Sequence, residues 1–385
     1  MKNILIDNIS QLSDGQVNIN IAIDGNNETV EMNFSENVRD YISTDRADAI
    51  IMGLLMFAIK RRVDIQSNLP ISETLYYKLT HHFIPGICNN GIYRPKILTN
   101  LVKDVKRSDN GIVATGISCG VDSLYSIKEH TEDVSEEFKL NHLLFLDAGA
   151  HHFGSPEKWD ELYKGRLQNA RNFSKEVGLP LIEINTNLPL IIEKYTEYSH
   201  LEHHTYMMLS CLLMIQKNIR KYYYSGGYPY NKFDCNILPD KVAKCAKYDL
   251  FILWAASNSE TEFCSTGGSL NRYEKVIALG NYKPSWKYLN VCVASVQNCG
   301  KCFKCKRTLL EIDAAGNIDK YGSAFDIKTY KREREKLIKE GLRNAIKGDE
   351  TLAEITDFFN HEISPMQRRI QSVRVGCGKI VSKFR

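Results

Sequence analysis

The sequence predicts an α/β protein with a doubly wound parallel sheet, preceded by an α+β section and followed by a helical tail. Three observations carry this. From residue 111 onward, short apolar runs of strand length alternate with stretches of helix length, the pattern of successive βαβ units. A run of small residues, Ser118-Cys119-Gly120-Val121-Asp122-Ser123, separates the first of those strands from its helix. Four cysteines, Cys292, Cys299, Cys302 and Cys305, gather near the end of the alternating region.

Taken in order, the chain first alternates Val17, Ile19, Ile21 and Ile23 with polar residues, turns through Asp24-Gly25-Asn26-Asn27, and alternates again at Val30, Met32 and Phe34. Period two on both sides of a Gly/Asn turn predicts a β-hairpin. A helix over Asp45–Arg62 follows. Its apolar stretch, Ala47 to Ile59, is too short for a membrane span and includes Asp48, so it reads as a buried helix. A shorter helix around Ser72–His82 closes an N-terminal α+β domain, 1–105, whose residues name no chemistry.

The segment 106–290 holds the alternating pattern. Gly111–Ile117 is a strand, Val121–Glu129 a helix, His142–Asp147 a second strand and Pro156–Val177 a long amphipathic helix. Pro180–Ile184 is a third strand, His200–Asn218 a helix and Lys221–Ser225 a fourth strand. In sheets of this kind ligands sit at the carboxyl ends of the strands. The segment 291–315 carries the cysteines. The tail, 316–385, is charged, with helices over Ile327–Lys347 and Thr351–Phe359.

At 385 residues, with 43% hydrophobic and 25% charged content, the chain has the composition of a soluble globular protein with a sizeable core. A net charge of +4 is too small to imply nucleic acid by itself. No membrane span is expected. Eleven cysteines, four of them clustered and the rest without a pairing pattern, fit reduced thiols and a cytoplasmic location.

The small-residue run has the context of a phosphate loop. Small residues let backbone N–H groups close on an anion, and the helix N-terminus adds partial positive charge. The hydroxyls of Ser118 and Ser123 can donate to phosphate, and Asp122 can support the loop or a metal ion. The loop lacks the Gly-Lys-Ser/Thr ending of a Walker loop, so transfer of a γ-phosphate is not its chemistry. The alternatives are an ordinary strand–turn–helix corner, or Cys119 as a thiolate nucleophile at a helix N-terminus. The cysteines pair Cys292 with a Cys299-Gly300-Lys301-Cys302-x2-Cys305 turn. That spacing suits a closed four-thiolate zinc site of structural type, with an iron–sulfur cluster as the rival.

The loop resembles the Ser-Gly-Gly-x-Asp-Ser signature of the N-type ATP pyrophosphatases, the PP-loop family. Cys119 stands where that pattern has its first glycine. Within the family, the cysteine spacing resembles the zinc motif of the 7-cyano-7-deazaguanine synthases. Leu143–Gly149, Ser225-Gly226-Gly227-Tyr228 with Asp234-Cys235, and Arg272-Tyr273-Glu274 extend the likeness over about 110–315. The resemblance implies an adenine nucleotide alpha hydrolase-like fold, with ATP held by Ser118 through Leu124. It also implies Mg²⁺ at the phosphates, Zn²⁺ at the four cysteines, and catalytic roles for Asp122, Arg272 and Glu274. The activity implied is an AMP-forming ligase that adenylates a small-molecule or peptide carboxylate and passes it to ammonia or an amine, with an amine-supplying partner and a homodimer both compatible. RNA thiolation is the second reading, with Cys235 or Cys264 as persulfide carrier, and a zinc-stabilised non-catalytic module the third.

Other residues draw weaker expectations. His200 and His204 share a helix face at metal-binding spacing, though a polar face near the nucleotide is the plainer reading. His151-His152 reads as a solvated loop. Arg368, Arg369, Arg374, Lys379, Lys383 and Arg385 make the tail basic enough to touch nucleic acid, though a solvated helix is the default.

Overall fold

A computed structural model describes residues 3–373 apart from 90, 108–110, 133, 152–154, 239–240, 357, 362–364 and 367–368. Its strands are β1 (Asn3–Gln11), β2 (Val17–Ile23), β3 (Asn26–Phe34), β4 (Asp64–Ser67), β5 (Ile71–Ser72), β6 (Ile97–Leu98), β7 (Leu101–Val102), β8 (Ile112–Gly116), β9 (His142–Asp147), β10 (Leu181–Thr186), β11 (Ile219–Ser225) and β12 (Glu262–Thr266). The helices are α1 (Asp48–Arg61), α2 (Glu73–Lys78), α3 (Ile84–Ile87), α4 (Val121–Glu129), α5 (Pro156–Val177), α6 (Leu188–Glu193), α7 (His200–Met214), α8 (Asp249–Ala256), α9 (Arg272–Leu279), α10 (Lys283–Tyr288), α11 (Phe303–Ala314), α12 (Ile327–Ile346) and α13 (Glu350–Thr356).

The chain is α/β, as the alternation predicts. Ten strands form one sheet in the order β12-β11-β8-β9-β10-β3-β2-β1-β4-β6, and β5 pairs with β7 apart from it. Neighbours from β12 to β10 all run parallel. The order has a physical consequence. The chain leaves β8 on one side to lay down β9 and β10, then returns to the other side for β11 and β12. The connections therefore diverge between β8 and β11, and in doubly wound sheets the carboxyl ends of such strands are where ligands bind.

Side chains of the parallel strands alternate between two apolar cores. Ile112 and Ala114 of β8, Leu144 of β9, Tyr222 and Tyr224 of β11 and Phe263 of β12 enter the core shared with α1, α7 and α8. Val113, Leu143, Phe145 and Tyr223 enter the core built by α4, α5 and α9 to α13. A strand buried on both faces reads as an unbroken apolar run, which is why His142–Asp147 is recognisable from sequence.

The boundary near residue 105 falls within a continuous structure. β3 runs antiparallel to β10, with Phe34 opposite Ile184, and carries the N-terminal strands into the same sheet. α1 is buried from Asp48 to Ile59 and packs on α7. Gly53 allows their close approach, because a Cβ there would lie 2.8 Å from both Leu188 Cδ2 and Ser210 Oγ. Asp48 is the buried exception in this apolar helix. Its carboxylate accepts the Ser72 N–H at 2.8 Å and Gln216 Nε2 at 3.0 Å, while burial pushes its pKa up.

Several boundaries differ from expectation. The hairpin loop is two residues, since Ile23 already faces Asn26. Asp24 and Gly25 have φ of 52° and 87°, the left-handed pair that a tight type I′ turn requires. β1 goes unseen in the sequence because a bulge between Ile6 and Asn8 breaks its period. β12 has a single fully buried apolar residue, Phe263. The helix expected around Ser72–His82 continues through a π turn at Leu79–Phe83 to Ile87, and α7 stops at Met214 rather than Asn218.

Replacing Gly53 by leucine should lower stability by about 1–3 kcal/mol through overpacking. Chemical denaturation checks this, and unchanged stability would contradict the α1–α7 approach.

Candidate functional site

The loop after β8 lies at the divergence point. Gly120 caps α4 with extended backbone and its side chain-free N-cap leaves the first-turn N–H groups without side-chain partners. Ser118 and Ser123 fold the loop on itself. Their hydroxyls are 3.1 Å apart, the Gly120 N–H donates to Ser118 Oγ at 3.3 Å, and Ser123 Oγ donates to the Gly120 carbonyl at 3.1 Å. Val121 and Leu124 face inward and anchor the helix in the core.

Cys119 has φ of 57°, the left-handed conformation that glycine adopts at lower cost. Its side chain is buried in the apolar core and bonded to Asn169 of α5. Burial pushes the thiol up to about 12. This corrects the thiolate alternative: the side chain points away from the loop mouth, and desolvation outweighs the helix N-terminus. The Cys119 carbonyl accepts the Asn290 N–H at 2.8 Å, which ties the loop to the cysteine segment.

Asp122 lies in the first turn of α4, partly exposed. Burial raises its pKa, but Lys275 and Arg272 win and hold it below the usual carboxylate range. Lys275 is the residue that sequence reasoning missed. Its ammonium, 3% exposed, donates to Asp122 Oδ1 at 2.8 Å and to the Gly226 carbonyl at 2.7 Å. It thus bridges the loop to the end of β11. A Cβ at Gly267 would lie 3.1 Å from Lys275 Cε, so the glycine leaves the lysine its path. The i, i+3 spacing of Arg272 and Lys275, on one face with Val276 and Leu279, was the available signal.

Arg272 turns its Nε to the fully buried Glu311, at 3.1 and 3.2 Å, and its Nη2 to Thr308 Oγ1 at 3.0 Å. Its Nη1 is 3.7 Å from Asp122. Glu274 has a different task from its neighbour. Its carboxylate accepts the Asn271 N–H at 2.7 Å while Asn271 accepts the Glu274 N–H, a reciprocal cap on α9. The structure brings Ser118, Asp122, Ser123 and Arg272 together and leaves Glu274 as a helix cap.

The four cysteines converge. Their sulfurs lie within 4.8 Å of one another, with Cys292–Cys302 and Cys299–Cys305 each 4.0 Å apart. A tetrahedron with Zn–S of about 2.3 Å has sulfur edges of about 3.8 Å, so the donor set fits a zinc ion. The Lys301 and Cys302 N–H groups point at Cys299 Sγ, at 3.4 and 3.3 Å. Gly300 has φ of 66°, as that tight turn requires. Asn298 fastens the segment through Leu289, Val291 and Ala324.

On the other face of β11, Asp249 opens α8. It is 6% exposed, accepts its neighbour Leu250 N–H at 2.7 Å, and is raised by burial to about 6. A Cβ on Gly226 would sit 3.7 Å from Asp249 Oδ2, so this carboxylate faces the same strand end that Lys275 holds from the opposite side.

The histidines depart from expectation. His151 is buried, stacked 5.4 Å from Phe145 and 2.9 Å from Asp147 Oδ1, because the turn after β9 folds it back over the strand; His152 lies outside the described residues. α7 is buried on nearly every face, so the polar face expected of His200 and His204 is largely packed away. Burial lowers His203 and His204 to about 4. Among the described residues the cysteine cluster is the one grouping of three or more metal-ligand side chains. Of the basic tail, Arg368, Arg374, Lys379, Lys383 and Arg385 lie outside the described residues. Among the described residues no cysteines form a disulfide, and no helix is long and apolar enough to cross a membrane.

Compared with known protein families, curated proteins and solved structures, the chain matches none.

Purified protein should contain about one zinc per chain, the stoichiometry of one closed tetrahedral site. Cys302→Ser should lower both metal content and melting temperature, because metal binding contributes folding free energy. A brown protein with iron and sulfide, or no metal at all, would refute this.

Asp249 provides a pH test. Its folded pKa lies above the ordinary 3.8, so the native state holds a proton that the unfolded chain releases. Stability therefore falls as pH rises through 4 to 6. Asp249→Asn should be near neutral at pH 4 and stabilising by about 1–3 kcal/mol above pH 6, read from denaturation at both pH values.

Proposed function

We propose that the chain is an ATP pyrophosphatase of the PP-loop type, with an adenine nucleotide alpha hydrolase-like fold, that adenylates a carboxylate and transfers it to ammonia or an amine. The observation that carries this reading is the convergence at the β8–β11 divergence. A loop with free helical N–H groups, two hydroxyls and two cations, Lys275 and Arg272, meet there around one carboxylate. An anion at that point receives N–H donors and positive charge from elements already fixed by the fold.

In the proposed reaction a carboxylate oxygen of the substrate attacks the α-phosphorus of ATP. The bond from that phosphorus to the α,β-bridging oxygen breaks, and pyrophosphate leaves with the electron pair. The nitrogen nucleophile then attacks the acyl carbon, loses a proton, and expels AMP. Loop N–H groups and the Ser118 and Ser123 hydroxyls hold the phosphates, while Lys275 and Arg272 offset the charge that builds on the leaving group. Magnesium ion, when bound with ATP, shares that neutralisation. Asp122 acts by fixing Lys275 and Arg272 rather than as a free metal ligand, since its Oδ1 is taken by the lysine. Zinc at the four cysteines is structural, because four thiolates leave no open position.

Cys119 does not weaken this reading. Its φ of 57° lies in the left-handed region that glycine adopts at lower cost, and its side chain is buried in the core rather than in the loop mouth. Thiolation would need a reactive carrier thiol. Cys264 is a poor one: burial and Glu262, to which it donates at 2.8 Å, raise it to about 12.

ATP should be cleaved to AMP and pyrophosphate and never to ADP. Binding is measured first, since turnover requires the carboxylate. Ser123→Ala and Lys275→Ala should weaken ATP binding by about tenfold or more, the loss of one charge-assisted contact in a partly buried site. Wild-type affinity in both variants would remove the loop assignment.

A further inference from the structure

Beside the loop lies a set of charges that the motif does not include. Lys304 and Arg307 stand on the first turns of α11, directly after the cysteine turn. Lys304 is exposed and lies within electrostatic reach of Arg272, Arg307, Arg166 and Asp122. Arg307 is likewise coupled to Arg272, Asp122, Glu311 and Asp349. Five cations, Arg166, Arg272, Lys275, Lys304 and Arg307, thus face three carboxylates, Asp122, Glu311 and Asp349. Bringing like charges together costs free energy unless an anion joins them. A second observation is independent of the charge count. Among the described residues Arg307 Nε is buried with no hydrogen-bond partner, and the Glu311 carboxylate, 3.8 Å away, is already engaged by Arg272. An unmade donor of this kind is costly in a protein interior.

We propose that Lys304 and Arg307 grip the β- and γ-phosphates of ATP and the pyrophosphate it leaves, so that the four-cysteine centre controls nucleotide affinity by fixing the start of α11. This rests on the ATP reading above and extends it to residues outside the loop. The coupling is covalent and short. Cys302 is the N-cap of α11, its sulfur accepts the Cys305 N–H at 3.5 Å, and Lys304 and Arg307 flank Cys305. Arg166 reaches the segment from α5 by donating to the Cys292 carbonyl at 2.9 Å, and Asn290 donates to the loop itself. Drawing the four sulfurs onto one ion therefore sets the distance between the phosphate loop and the two cations. The substrate-facing α-phosphate and ribose of AMP lie outside this grip.

The test is calorimetric binding of pyrophosphate, ATP and AMP, separately, to the zinc-loaded wild type and to Arg307→Gln, Lys304→Gln and Cys302→Ser. Melting temperature and zinc content serve as folding controls. Each charge variant should keep its zinc and bind AMP within about twofold of wild type, while pyrophosphate and ATP weaken about tenfold or more. Cys302→Ser should lose pyrophosphate affinity in the same way, and Arg307→Lys should recover part of it. Equal losses for AMP and pyrophosphate, or no loss for either, overturn the proposal. If wild type binds AMP and ATP equally and pyrophosphate not at all, the grip is refuted while a nucleotide site stands. If wild type binds none of the three, the ATP reading itself falls.

Discussion

A single buried ammonium organises this end of the molecule. Lys275 belongs to α9, yet it bonds to the first turn of α4 through Asp122 and to the Gly226 carbonyl just past the end of β11. Those elements lie on either side of the point where the sheet's connections diverge. A lysine nearly excluded from water must keep its partners, since removing one leaves an uncompensated charge. The ion pair therefore holds the loop against the strand ends. Gly267 follows from it, because a side chain there would press on the stem and ammonium of Lys275, while Gly226 leaves room for Ser265 and the Thr266 carbonyl beside it.

The same constraint orders the charges beyond it. Asp122, tied to Lys275, also draws Arg272, and the buried Glu311 holds Arg272 from behind. Glu311 sits on α11, the helix that the cysteine turn begins. The loop, the cysteine turn and α11 are thus linked through side chains rather than through one continuous stretch of sequence. Donors and charges already fixed by the fold need little reorganisation to meet an anion. Here the fixing is done by packing on one side and by four sulfurs on the other.

The strands and helices nearest the loop were legible. α4, β9 and α5 have the boundaries their apolar pattern predicts, because both faces of the sheet and one face of each helix are buried. The cysteine cluster was legible because its spacing is local. What escaped is non-local. Lys275 reads as one more helical lysine until β11 and α4 are placed beside it, and Arg307 reads as a solvated cation until α11 is turned toward the loop. Glu274 drew attention through a neighbouring-residue pattern, but its reciprocal bond with Asn271 is a local capping signal that outweighs it. His151 looked solvated because nothing in the sequence says that the turn after β9 folds back onto Phe145.

Cys119 shows how a departure from a small-residue loop can be compatible with its shape. A non-glycine residue in the left-handed region costs about 1–2 kcal/mol, and glycine would avoid that. The thiol offsets part of the cost by filling the core between the loop and α5, with Asn169 as its partner. Glycine at this position would restore conformational freedom to the unfolded chain and remove that contact. Relief of the left-handed strain opposes those two losses, so the loop's geometry does not hinge on which residue is present. What it requires is the φ itself, together with the carbonyl of residue 119 that Asn290 grips. A β-branched residue could supply neither at low cost, because its second γ-substituent crowds the backbone in that conformation. The position therefore tolerates cysteine for steric reasons, and its thiol belongs to the core rather than to the chemistry.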